Sequence, residues 1–310
     1  MSEANIKTKI PYFNIKFKLF DEKEKEEITT DNINELLNKI TCALPNWNFW
    51  YRYNISPPIL VIDEANLLRQ LGNSSNEGAI LLKLFLNWLV ENTKHKHFHA
   101  ILISSNSFFL NWLLDNLYTP YAIPYVVGDL SREEAEEYFE KHILPQYECE
   151  ELRGKFNNIR RITGTRMLII DKYVKEYKNN NGKLKDSEFS IFKLEEYKLK
   201  LALHPESLKF SNKPPPAWKY HDLIKTMMAI VKVEDQGFIL EDDLINIIGS
   251  KQVYSLIDYN YLFRRPTNKY ANDIINPPDK VILTAINQPS LRAMECLLSK
   301  ISLNSNSIYL

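Results

Sequence analysis

A chain of 310 residues, 45% hydrophobic and 25% charged, has an ordinary globular composition and the length for two or three domains around a sizeable core. Its 39 basic and 39 acidic residues cancel, so the total charge advertises no nucleic acid, anionic membrane or polycationic partner. Cys42, Cys149 and Cys296 are too few and too scattered for a disulfide framework or a zinc site, and no apolar run approaches a signal peptide or the ~20 residues of a membrane span. These features predict an intracellular, cytoplasmic protein, with the nucleus left open.

In chain order, the segment from Ile10 to Phe20 alternates apolar and polar residues from Phe13 onward and predicts a strand near a sheet edge. The charged run Asp21 to Glu27 reads as a solvated loop or helix start. A helix is expected from about Asp31 to Leu44, with Ile33, Leu36, Leu37 and Ile40 on one face. Trp47, Phe49, Trp50, Tyr51 and Tyr53 follow. With only Arg52 beside them, the rings are expected to pack beneath a connecting loop rather than to stack on bases.

The stretch that organises the chain is Pro57-Pro58-Ile59-Leu60-Val61-Ile62-Asp63-Glu64-Ala65. Four branched apolar residues in succession predict a strand buried on both faces, as in a parallel sheet covered by helices. A helix from roughly Gly78 to Asn92 leads to a second such strand, Phe98 to Ile103, ending in the polar tip Ser104-Ser105-Asn106. In an open α/β sheet, ligands lie beyond the carboxyl ends of the strands, where Asp63 and Glu64 fall. Adjacent carboxylates there suit nucleotide hydrolysis: Asp63 would hold a hydrated magnesium ion and Glu64 would orient the attacking water.

A short helix is predicted over Phe108 to Leu117 and a further strand over Tyr121 to Val127. Ser131, with Glu134 three residues on, forms a capping box that starts a helix. Helices are expected at Met167 to Tyr177 and Phe189 to Leu203, and Pro214-Pro215-Pro216 reads as a stiff linker. Beyond it come helices at about Tyr220 to Val231, Glu241 to Ile248 and Lys251 to Tyr259. A basic turn (Arg264-Arg265-Pro266), a strand from Lys280 to Ala285 and a last helix from Pro289 to Ile301 complete the chain.

The segment Ile-Leu-Val-Ile-Asp-Glu-Ala resembles the Walker B strand of AAA+-type P-loop ATPases, and Ala-Ile-Leu-Ile-Ser-Ser-Asn resembles their sensor-1 strand. The STAND-like, archaeal-type branch is the nearest likeness, and it extends from about Ile10 to the end of the chain. The resemblance implies ATP binding and hydrolysis with Mg2+ as a conformational switch. Asp63 would carry the metal and Glu64 the water, Ser105 or Asn106 would contact the γ-phosphate, and Gly164 with Arg166 would form the lid contact. It implies three parts: a P-loop NTPase-type core over residues 1–130, a helical lid over 131–213 and a winged-helix-like domain over 214–310. It also implies a protein partner or self-association.

The chain departs from the family pattern in two places. Around Gly164, Thr165 stands where a second glycine is expected, and no proline follows. More seriously, none of the eight glycines fits Gly-x-x-x-x-Gly-Lys-Ser/Thr, so no Walker A motif is present. Ile10 to Phe20 matches the second strand of the family, so the likeness begins one βα unit late, and weak or no hydrolysis by this chain alone is expected. The competing expectation is a non-catalytic interaction module that keeps the scaffold. Duplex binding by the winged helix is disfavoured, because residues 214–310 carry ten cations against ten anions. His95, His97 and His99 share a strand face but have no cysteine or acid beside them, which argues against a metal site.

Overall fold

The computed structural model describes residues 30–117, 122–208, 213–266, 273, 274, 276 and 278–306. The proposed strand at Ile10 to Phe20 and the charged run after it lie outside these residues. The protein is mixed α/β and mostly helical, and its contacts divide it into two units, residues 1–103 and 104–310.

The first unit opens with α1 (Thr30–Ala43) and α2 (Trp47–Arg52), then β1 (Ile59–Ile62), α3 (Leu67–Ser74), α4 (Asn76–Lys94) and β2 (His99–Leu102). Ser75 starts α4 by accepting from the Gly78 amide at 3.0 Å. The close approach of α3 to α4 depends on Gly78, because a Cβ there would meet the Leu71 carbonyl oxygen at 2.3 Å. Helix α1 is tied to α4 by the Trp88 indole N–H, which donates to the Leu37 carbonyl and Thr41 Oγ1. Strands β1 and β2 run parallel, pairing Ile59 with His99 through Ile62 with Leu102. The expectation of a strand dry on both faces is corrected here. Ile59 is 58% exposed and Val61 53%, and Ile101 and Ile103 on the same face are exposed as well. An unbroken apolar run carries no period, so sequence alone does not distinguish one covered face from two.

The aromatic expectation is overturned for four of the five rings. Trp47, Phe49 and Tyr51 lie on α2, Tyr53 caps its end, and all four are exposed, while Trp50 is half-buried. Asn46 caps α2 by accepting from the Phe49 amide through its side chain.

The second unit begins with α5 (Phe109–Leu117). The strand predicted over Tyr121 to Val127 does not form: Tyr121 lies outside the described residues, and 122–127 have no regular structure. The capping box forms as expected, with Glu134 N donating to Ser131 Oγ and Ser131 N to Glu134 Oε2. It starts α6 (Arg132–Tyr138), which continues through a π-turn (Phe139–Ile143) into α7 (Leu144–Tyr147). Next come α8 (Phe156–Thr163), α9 (Met167–Asn179) and α10 (Ser190–Ala202).

After the proline triplet come α11 (Tyr220–Lys232), β3 (Ile239–Leu240), α12 (Glu241–Ile248), α13 (Ser250–Asp258), β4 (Leu262–Arg265), β5 (Ile282–Ala285) and α14 (Gln288–Asn306). The three strands form an antiparallel sheet in the order β3-β5-β4. One continuous core runs through the unit from Ala135 to Leu297, with Phe139, Phe156, Phe189, Trp218, Met227 and Leu256 fully buried. The basic turn expected at Arg264-Arg265 is instead part of β4, and both arginines are buried. Each has a carboxylate within reach, Glu241 for Arg264 and Asp273 for Arg265, which removes the cost of burying a lone charge.

Candidate functional site

In the first unit, the acidic pair stands where β1 ends. Asp63 Oδ1 accepts from the Glu64 amide at 2.8 Å, and Glu64 adopts a left-handed backbone at φ 50°. The turn is stitched to the end of the neighbouring strand: Ile103 N donates to the Ile62 carbonyl and Ala65 N to the Ile103 carbonyl, both at 2.8 Å. Ala65 is buried as the anchor of the turn, and both carboxylates face solvent. One Asp63 oxygen is thus held by the backbone and the other is available. That suits a carboxylate holding Mg2+ through its water shell, which needs only one or two protein oxygens. Among the described residues, no group of three or more His, Cys, Asp and Glu is arranged to hold a metal by itself. The glycines nearest this turn, Gly72 and Gly78, belong to α3 and α4 and serve helix packing rather than a phosphate cradle.

The other four residues singled out from the sequence lie in the second unit. Ser105 is exposed, and the Asn106 side chain accepts from the Phe108 amide at 2.9 Å, closing the turn before α5. Gly164 and Arg166 line an open polar cleft of about 1400 Å3. Gly164 ends α8 at φ 68°, ψ −148°, a region closed to other residues, and a Cβ there would lie 2.8 Å from Gln288 Cβ. Alanine at Gly164 is therefore expected to cost about 1–3 kcal/mol in backbone strain, read as a lowered urea midpoint. An unchanged midpoint would remove this close approach from the account of the fold.

Arg166 is already engaged. Its Nε donates to Asp129 Oδ1 at 2.7 Å, and Nη2 reaches Asp129 Oδ2 at 3.4 Å and the Ile286 carbonyl at 3.3 Å. It fastens the loop before α6, the start of α9 and the end of β5 together. Deeper in the cleft, Arg292 donates to both Glu234 and Glu295. The Arg292 hydrogen bond holds the Glu234 carboxyl below its usual range, and burial pushes Glu295 above it. Arg160 and Arg161, exposed on the last turn of α8, also line the cleft, among carboxylates that include Asp235 and Asp243. Sequence reasoning missed Asp129 as the partner of Arg166, since 37 residues separate them and no local pattern links them. No family model, no curated protein and no solved structure matches the chain.

Proposed function

We propose that the chain is a nucleotide-responsive switch: a P-loop NTPase-type core, a helical lid and a winged-helix domain, allied to the AAA+ and STAND-like ATPases. The observation that carries this reading is the parallel β1–β2 pair, with Asp63 and Glu64 exposed where β1 ends. The β3-β5-β4 sheet, built with α11, α12 and α13, supports the winged-helix part. ATP and Mg2+ are the ligands proposed, the ion supplying charge neutralisation at the phosphates. Asp63 holds that ion through water, Glu64 orients a water for attack, and Ser105 or Asn106 senses the terminal phosphate. Arg166 serves the nucleotide only after leaving Asp129. With no glycine-rich loop to supply backbone amides, hydrolysis by this chain alone is weak or nil, and its working partner is a protein or a second copy, inside the cell.

Calorimetric titration of the full chain with ATP, with and without Mg2+, tests this reading. The expected result is magnesium-dependent binding weaker than ~100 µM, about 5.5 kcal/mol, abolished in Asp63→Ala and retained in Glu64→Gln. Binding indifferent to Mg2+ and to Asp63→Ala, or none at all, would sink the nucleotide site. The second reading, a non-catalytic interaction module on the same scaffold, would then stand. It is favoured by the exposed apolar face of Ile59, Val61, Ile101 and Ile103.

A further inference from the structure

The neutral total charge conceals a local surplus in the first unit. Residues 45–56 and 94–99 contain no acidic side chain, yet they carry Arg52, Lys94 and Lys96 together with His95, His97 and His99. These two stretches meet: Lys96 Nζ lies 4.1 Å from the centre of the Trp47 ring. Around that contact, Trp47 and Phe49 are each 40% exposed, Tyr53 58% and Tyr51 77%. Lys94 is partly answered by Glu91 at 3.3 Å. Arg52 and Lys96 are exposed and make no ion pair among the described residues.

Lys96 also occupies a conformation that lysine rarely takes. It follows the last turn of α4 at φ 55°, in a left-handed closure in which His97 N donates to the Asn92 carbonyl at 3.0 Å. Glycine is the usual residue at such a position. A lysine held there projects its ammonium onto the aromatic surface of α2, at the cost of some backbone strain.

We propose that this aromatic and basic face of the first unit binds single-stranded nucleic acid. Bases stack on the exposed rings of Trp47, Phe49, Tyr51 and Tyr53, and the phosphodiesters lie against Lys96 and Arg52. Every base has a π-face, so the surface needs no sequence-specific contact, and its cations supply the charge complementarity. Double-stranded nucleic acid does not suit it, because duplex bases are already stacked. An anionic membrane would meet the same cations, but α2 is a six-residue helix with no leucine, isoleucine or valine to bury at an acyl boundary. This inference is independent of the nucleotide site at Asp63 and of the winged-helix assignment.

The test is fluorescence anisotropy of the full chain with labelled oligothymidylate and oligouridylate of about ten nucleotides, a length within the usual site sizes. The two oligomers distinguish DNA from RNA as the source of the shared chemistry. Binding is expected to weaken with salt, the logarithm of affinity falling with a slope of about −1.4 for two phosphate contacts. Removing the rings in Trp47→Ala/Tyr51→Ala lowers affinity by about tenfold or more. Lys96→Gly is expected to halve the salt slope while relieving the backbone at that turn, so a loss of binding with an unchanged circular dichroism spectrum reports the missing ammonium rather than unfolding. Circular dichroism shows whether the double variant keeps its helices, and the Lys96→Gly result stands even if it does not. No binding of either oligomer, binding untouched by these changes, or capture by phosphatidylserine vesicles in place of the oligomers would each overturn the proposal.

Discussion

Replacing Glu241 with alanine is expected to destabilise the second unit by about 3–5 kcal/mol, the cost of leaving a buried charge without its partner. Glu241 opens α12 and Arg264 sits on β4, and their side chains are only 8% and 7% exposed. Arg264 meets the carboxylate in a fork, Nε to Oε1 at 3.0 Å and Nη2 to Oε2 at 3.1 Å. Its remaining nitrogen reaches the Ser107 carbonyl and Asn111 Oδ1 at 3.5 Å, and the guanidinium lies over the Phe108 ring. Once Glu241 is gone, those longer contacts cannot neutralise the cation. Removing both charges in Glu241→Leu/Arg264→Leu is expected to restore much of the stability, since well-packed apolar pairs often replace buried ion pairs with little loss. Urea unfolding of the single and double variants measures the coupling. Equal losses in Glu241→Ala and in the double variant would show that packing rather than charge sets the cost.

Replacing Trp218 with alanine is expected to cost about 3–5 kcal/mol, the range for a buried aromatic truncated to alanine. Trp218 is 2% exposed and sits edge-on to Tyr259 and Tyr261, at centroid distances of 5.0 and 5.5 Å. Its indole N–H donates to the Ala202 carbonyl at 3.0 Å, joining the chain after the proline triplet to the end of α10. Burial pushes the Tyr261 hydroxyl up to about 12, as a dry contact with this ring would. Trp218→Phe keeps part of the packing and loses the hydrogen bond, so it is expected to cost less than alanine. The core is shared across the prolines, so the unit of residues 104–310 should still unfold in one transition, only earlier. Two separated transitions in the wild type would contradict a shared core.

Where the signal lay within a few neighbouring residues, the sequence determined the local structure by itself; the apolar run before Gly128, with no such signal, forms no strand. The Ser131–Glu134 capping box needs two side chains three residues apart, and it forms. The periodic apolar faces of α1, α4 and α11 likewise appear as helices close to their expected bounds. The apolar runs of β1 and β2 pair in parallel, and the acids of Asp63-Glu64 stand at the carboxyl end, as strand direction requires.

What surrounds each element was decided only in the tertiary structure, because burial and charge pairing are set by segments distant in the chain. Ile59 and Val61 read as core and are exposed, while Arg264 and Arg265 read as a surface turn and are buried beside Glu241 and Asp273. The aromatic cluster read as packing leaves Trp47, Phe49, Tyr51 and Tyr53 on a solvent-facing surface. Arg166, legible as a free cation, is engaged by Asp129 across 37 residues. A side chain's own sequence neighbourhood states what it can do. Which partner reaches it first is a property of the fold.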